Sequence, residues 1–129
     1  MIRWNGKPLT LRSENEKDFI TIDNGAPWNS NTVYYQNFPN WLKKKMPLYG
    51  TKDINTNDAN TLYLPTATTA YLFRHRYGGW PNVDVNGWSQ VSEGSYLHYG
   101  PNMTLYTKKF EAGTYTIDNN AAMYLFDSD

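Results

Sequence analysis

The sequence predicts an all-β protein, a single antiparallel β-sandwich of jelly-roll-like form with about ten short strands. Aromatic residues make up 16% of the 129 residues, and they include eleven tyrosines. Aromatic and β-branched side chains suit pleated, half-buried surfaces. Short apolar runs recur at nearly regular spacing between Asn, Gly and Pro residues, which favour turns. The length predicts one domain over residues 1–129.

The N-terminal half begins with a hairpin signal. Residues 2–4 and 9–12 flank Asn5-Gly6, a dipeptide typical of a type I′ turn. Pro47 follows the segment Trp-Leu-Lys-Lys-Lys closely, so that segment predicts one helical turn rather than a long helix. The further elements expected in this half are strands at residues 19–22 and 32–36, the helical turn at 41–45, and loops at 13–18 and 51–60.

The C-terminal half predicts the centre of the sheet. Residues 69–76 form the clearest strand, and the first part of it is apolar on both faces, as in a central strand. Thr114 and Thr116 share one face of their strand while Tyr115 and Ile117 share the other, so one face is expected to be buried. The other strands expected here are residues 61–64, 88–91, 96–99, 103–110, 114–117 and 121–126. The core is expected to contain Tyr71, Phe73, Leu105, Ile117, Met123 and Leu125.

Several strings of residues match one known pattern. They are Leu-Tyr-Thr-Lys-Lys-Phe-Glu-Ala-Gly-Thr-Tyr-Thr-Ile at 105–117, Asn119-Asn120, Met-Tyr-Leu-Phe at 123–126 and, upstream, Thr-Ala-Tyr-Leu-Phe at 69–73, Trp80, Trp88 and residues 37–42. The pattern resembles the carbohydrate-binding-like β-sandwich module that is appended to secreted polysaccharide lyases and glycoside hydrolases. The resemblance covers residues 26–126 and implies a sandwich fold without catalytic activity. The chain differs from the pattern at residues 74–76 and 78–81, where loops would meet a ligand.

Composition excludes several classes of protein. Twelve basic residues balance twelve acidic ones, so no nucleic-acid partner is expected. The chain has no cysteine, which rules out a disulfide framework and a thiolate zinc site. No apolar stretch approaches the roughly 20 residues that span a bilayer, and the N-terminus lacks the apolar core of a signal peptide. We therefore expect neither a membrane partner nor a signal peptide.

Metal binding has one candidate segment. Asp53, Asn55, Asn57 and Asp58 place oxygen donors at the spacing that opens a calcium loop. The sixth and twelfth positions of an EF-hand need Gly and Glu, but here they hold Asp58 and Leu64. We favour a plain Asn-rich turn with no metal and no other cofactor, with a calcium site of another geometry as the alternative.

Catalysis has little support in the sequence. His75 and His98 lack a metal-ligand spacing, and a structural or surface role is favoured for both. The acidic residues that glycoside hydrolysis would need each lie in a predicted turn beside Gly or Asn. These residues are Asp84, Glu93, Glu111 and Asp118. The chain is therefore expected not to be an enzyme.

A group of aromatic and arginine residues is the binding-site candidate. It consists of Arg74, Arg76, Tyr77, Trp80 and Trp88. Trp and Tyr are large rigid contacts and Arg adds a planar set of donors, a combination that sugars and protein partners both use. Trp80 is expected to be exposed between Gly-Gly and Pro. Trp88 is expected to lie half in the core, with closure of the sandwich end by both residues as the alternative.

Two other groups have weaker functional interpretations. Trp4, Trp28 and Trp41 are expected to pack in the core or against a neighbouring subunit. The basic run at residues 43–45 is expected to be a solvated face, and gripping an anionic group is the alternative.

These observations predict a non-enzymatic recognition or attachment protein displayed on a particle surface. An extracellular-type module that starts at Met1 without a signal peptide favours a virion structural component, such as a bacteriophage capsid decoration, tail or fibre-associated protein, released by lysis. Its partners would be other virion proteins or a surface glycan, and it could form a homo-oligomer. The alternative is a carbohydrate-binding accessory module of a polysaccharide-degrading enzyme. Either places the chain on a virion or an extracellular surface.

Overall fold

A computed structural model describes residues 1–12, 39–51, 54–56, 59–75, 85–97, 102–117 and 120–128. Within these residues the chain forms eleven strands and one short helix. They are β1 (Arg3–Trp4), β2 (Lys7–Pro8), β3 (Thr10–Arg12), α1 (Asn40–Lys43), β4 (Leu48–Gly50), β5 (Ile54–Thr56), β6 (Asn60–Leu64), β7 (Thr68–His75), β8 (Ser89–Leu97), β9 (Asn102–Phe110), β10 (Gly113–Ile117) and β11 (Asn120–Ser128). The all-β prediction is confirmed; the strands expected at 19–22 and 32–36 and the loop at 13–18 lie outside the described residues.

A four-stranded antiparallel sheet has the order β10-β6-β1-β2. The hairpin between β1 and β2 has the expected turn, because Asn5 (φ 51°) and Gly6 (φ 79°) both adopt the positive φ that type I′ requires. Its second arm was predicted wrongly at residues 9–12. Because the turn contains only Asn5 and Gly6, Trp4 pairs with Lys7 and the second arm begins directly after Gly6. The next strand, β3, pairs with β4 in the other sheet.

A seven-stranded antiparallel sheet has the order β3-β4-β11-β7-β9-β8, with β5 also paired to β11. The loop expected over residues 51–60 was therefore wrong at 54–56. The strand β11 continues past the end of β4, and β5 pairs with that exposed stretch.

The two strands expected at 88–91 and 96–99 are one strand in the structure. The strand β8 runs from Ser89 to Leu97, with an irregular register between Gln90 and Ser95. Glu93 was expected in a turn and instead lies in this stretch. Gly94 lies there too, and a bulge is a common place for glycine within a strand.

The sandwich core lies between the two sheets. It joins side chains from β1, β6, β7, β9 and β11 in one buried cluster: Ile2, Trp4, Leu62, Leu64, Ala70, Leu72, Phe110, Tyr124 and Phe126. The packing role expected of Trp4 is confirmed, since its side chain is 4% exposed.

A second cluster covers the opposite face of the seven-stranded sheet. Five of the six predicted core residues lie in it, together with Leu42 and Leu48: Tyr71, Phe73, Leu105, Met123 and Leu125. The central strand is therefore apolar on both faces, as its sequence predicts. Ile117, the sixth, is only partly buried and packs against the inter-sheet cluster instead.

The helix α1 is a single turn, in agreement with the sequence. Pro39 O accepts hydrogen bonds from the backbone N–H groups of Leu42 and Lys43, both 3.0 Å long. Leu42 is fully buried and Trp41 packs beside it. The described residues contain no helix with the length and apolar character that a membrane crossing requires.

Candidate functional site

A cavity of about 150 Å³ opens between the two sheets, where the chain passes from β9 in one sheet to β10 in the other. We call it the Trp88 pocket. Its lining residues are four aromatic residues, a lysine, two other polar residues and an isoleucine: Asn86, Trp88, Lys108, Phe110, Tyr115, Thr116, Ile117 and Tyr124.

Trp88 is held in the pocket by the turn that precedes β8. Its backbone N–H donates to Val85 O over 3.0 Å. Gly87 takes a φ of +82°, a backbone conformation that residues other than glycine rarely adopt. The indole is partly buried and lies 5.7 Å from the Phe110 ring and 6.1 Å from the Tyr124 ring, centroid to centroid. Trp88 is therefore partly buried against the core, as expected, and it also lines the pocket.

The short connection from β9 to β10, two strands that lie in different sheets, supplies the opposite wall. The rings of Phe110 and Tyr115 meet edge to face at 4.8 Å. The Tyr115 hydroxyl donates a 2.7 Å hydrogen bond to Glu111 O, which fixes the direction of the ring. Thr114 and Thr116 are exposed while Tyr115 and Ile117 are partly buried, so the predicted alternation of this strand is confirmed.

Among the described residues of the lining, Lys108 is the charged one. It follows the period-two pattern of β9 on the same face as Phe110, so it points toward the core side of the sheet. Its Nζ lies 4.8 Å from the Phe110 ring centroid, a cation–π contact worth roughly 0.5–1 kcal/mol at partly exposed sites. A Cβ built on Gly87 would lie 3.2 Å from the same Nζ. The ammonium is thus held between a ring and a closely approaching backbone.

Tyr124 forms the deep wall and is 1% exposed. Burial raises the pKa of its hydroxyl far above the ordinary range, so the phenol stays neutral. Its backbone is fixed by Thr51, whose Oγ1 accepts from Tyr124 N–H and whose own N–H donates to Tyr124 O, both over 2.9 Å.

The lining of the pocket offers surfaces for stacking and hydrogen bonding. The described residues that line it include no histidine and no carboxylate. What this arrangement can do is hold a ring-sized group against aromatic walls.

The structure describes two of the five predicted binding residues. Trp88 lines the pocket; Arg76, Tyr77 and Trp80 lie outside the described residues. Arg74 is half-buried in β7 and is not part of the pocket lining. It pairs directly with Thr104 of β9, and the Arg74 Nε and Thr104 Oγ1 atoms are buried without a hydrogen-bond partner.

Three of the four metal candidates lie outside the described residues: Asp53, Asn57 and Asp58. The backbone of Asn55 lies in β5. Within the ranges that the structure describes, no group of three or more acidic, histidine or cysteine residues is placed to hold a metal ion. The calcium alternative stays untested.

The remaining candidates are scattered. Lys43, Lys44 and Lys45 are exposed, and Lys45 Nζ lies 3.8 Å from an Asp127 carboxylate oxygen, in keeping with a solvated face. Glu111 is exposed in the turn where it was expected. Asp84, Asp118, His98 and Trp28 lie outside the described residues, and only the backbone of His75 is described.

Sequence reasoning missed most of the pocket. Lys108, Phe110, Tyr115 and Tyr124 were interpreted as parts of strands. One signal was present in β9: the strand alternates so that Lys108 shares the face of Phe110, and a lysine on a buried face is unusual. That β10 and β11 converge on it follows only from the sheet topology.

No protein family, curated protein or solved structure matches this chain. The all-β sandwich architecture therefore stands on the structure itself. The comparisons give no support to the resemblance to the accessory module.

Proposed function

We propose that the chain is a non-enzymatic recognition and attachment protein that binds a glycan in the Trp88 pocket. The observation that carries the proposal is the pocket itself, an opening between the sheets walled by four aromatic rings and edged by polar side chains. Small-ligand sites typically combine such apolar walls with a few polar groups that set orientation.

Sugars suit this combination of groups. One face of a sugar ring presents C–H bonds that stack on aromatic rings, while its rim presents hydroxyls. Trp88 and Tyr115 supply rings, and Asn86 and Lys108 supply polar contacts along the lining. The cavity is smaller than the roughly 300–1,000 Å³ of sites for drug-sized ligands. We infer that it holds one sugar unit, with the rest of a chain outside.

The attachment role is the proposed setting of this binding. We propose display on a virion surface, as a capsid decoration, tail or fibre-associated protein, with other virion proteins or a host glycan as partners. The alternative is an accessory module of a polysaccharide-degrading enzyme, which the resemblance of residues 105–126 favours. Both use the same pocket. Neighbouring genes distinguish them, because capsid and tail genes would accompany the first and a catalytic domain the second.

The test is a glycan panel with two matched tryptophan variants. Trp88 and Trp41 are both partly buried, but Trp41 packs on the opposite face of the seven-stranded sheet, 5.7 Å from the Tyr71 ring. Trp88→Leu is expected to weaken binding of any glycan that the wild type retains by about tenfold or more. Trp41→Leu is expected to leave that affinity unchanged.

Three outcomes contradict the proposal. The wild type binds no glycan on the panel, or the two variants lose affinity equally, or the wild type cleaves a polysaccharide. New reducing ends or unsaturated products report the last of these.

A further inference from the structure

We propose that the Trp88 pocket selects a sugar that bears a carboxylate, such as a uronic acid unit. This inference rests on the proposed function and names the class of sugar. It is carried by the position and surroundings of Lys108.

Lys108 brings a positive charge into the pocket, and none of the described lining residues neutralises that charge. The lining contains no acidic residue among those that the structure describes. The ion pair found elsewhere, between Lys45 and Asp127, does not involve Lys108. Within the described residues the ammonium has one charge-related contact, the face of the Phe110 ring. Such a contact leaves the N–H donors that point away from the ring open to a ligand.

The ammonium is also placed where a ligand group would meet it. It lies between the Phe110 ring and the turn at Gly87, beside the rings that would stack on a sugar. A carboxylate attached to a stacked sugar ring accepts a charge-assisted hydrogen bond from this ammonium, and such bonds are stronger than those to a neutral hydroxyl. A neutral sugar would gain less, because it would leave the half-buried charge without a counter-ion.

The experiment uses pairs of oligosaccharides that differ in one group. Oligogalacturonate, oligoglucuronate and oligomannuronate are each compared with the carboxyl-reduced form, in which CH₂OH replaces the carboxylate. Calorimetry on the full chain is expected to show at least about tenfold tighter binding of the acidic member of one pair. The preference is expected to shrink as salt rises, because screening weakens a partly exposed ion pair.

Three lysine variants test whether Lys108 is the cause. Lys108→Met keeps the length of the side chain and is expected to abolish the acidic preference while neutral binding persists. Lys108→Arg keeps the charge and is expected to retain the preference. Lys109→Met is the control, because Lys109 is exposed on the other face of β9. A thermal melt of each variant verifies that it folds.

The outcomes separate this inference from the function that it rests on. Equal binding of the acidic and neutral members overturns the carboxylate preference and leaves glycan binding intact. An acidic preference that survives in Lys108→Met also overturns it, since a residue other than Lys108 then recognises the carboxylate. If neither member of any pair binds, and no neutral glycan on the panel binds, both proposals fail.

Discussion

Two buried threonines allow the same substitution to be tested with opposite expected signs. Thr51 and Thr104 are each 2% exposed. The Thr51 hydroxyl accepts the Tyr124 backbone N–H, whereas the Thr104 hydroxyl has no hydrogen-bond partner. Valine has the shape of threonine without the hydroxyl, so each change to valine isolates one polar group.

The magnitudes follow from what each change leaves behind. Thr51→Val leaves the Tyr124 N–H buried without an acceptor, which costs about 1–3 kcal/mol of the free energy of unfolding. Thr104→Val removes a hydroxyl whose burial without a hydrogen bond costs about 1–3 kcal/mol, so stability is expected to rise. The two variants should differ by at least about 2 kcal/mol, or about 6 °C in Tm for a chain of this size.

Urea unfolding followed by tryptophan fluorescence measures both variants under one set of conditions. Wild-type stability should fall between the two. If Thr104→Val loses as much stability as Thr51→Val, the Thr104 hydroxyl has a partner, and the reasoning about the Arg74–Thr104 pair is wrong.

Three further predictions test the core, the buried phenol and the role expected of Trp80. Leu105→Ala should cost roughly 2–5 kcal/mol in urea unfolding, because Leu105 is fully buried on the sheet face; a cost typical of a surface change would show that the strand phase is wrong. Since burial raises the pKa of Tyr124, the unfolded chain loses that proton from about pH 10 while the folded chain keeps it, so stability falls above about pH 10. Tyr124→Phe should flatten that fall, and equal slopes for the two proteins would contradict the burial of the hydroxyl. Trp80 lies outside the described residues, and Trp80→Ala is still predicted to weaken binding at unchanged Tm; unfolding of this variant would make Trp80 structural instead.

The fold was predictable because its signals are local. Asn5-Gly6 sets its hairpin by backbone preference alone, and the run from Tyr71 to Phe73 shows a strand buried on both faces. Local signals do not show which neighbouring strand a given strand will pair with. The polar segment at 54–56 becomes β5 only because β11 offers unpaired backbone groups beside it. The continuous β8 likewise depends on β9 as its partner.

The candidate site was predictable only in part, for the same reason. Trp88 was identified because a tryptophan among turn residues is conspicuous. Lys108, Tyr115 and Tyr124 come from three different strands, and they meet because the four-stranded sheet packs over the seven-stranded one. A sequence pattern gives the face on which each side chain lies, and it does not give the neighbour across the sandwich.

The central claim is that a glycan stacks in the Trp88 pocket. Its most direct measurement is a titration of the ¹⁵N-labelled protein with the tightest-binding oligosaccharide of the panel, following the indole N–H resonances. Assignment of the Trp88 and Trp41 signals comes from the corresponding leucine variants. We predict a saturating shift of the Trp88 indole and no shift of the Trp41 indole. A shift of Trp41 with Trp88 unmoved, or binding with both unmoved, would contradict the account.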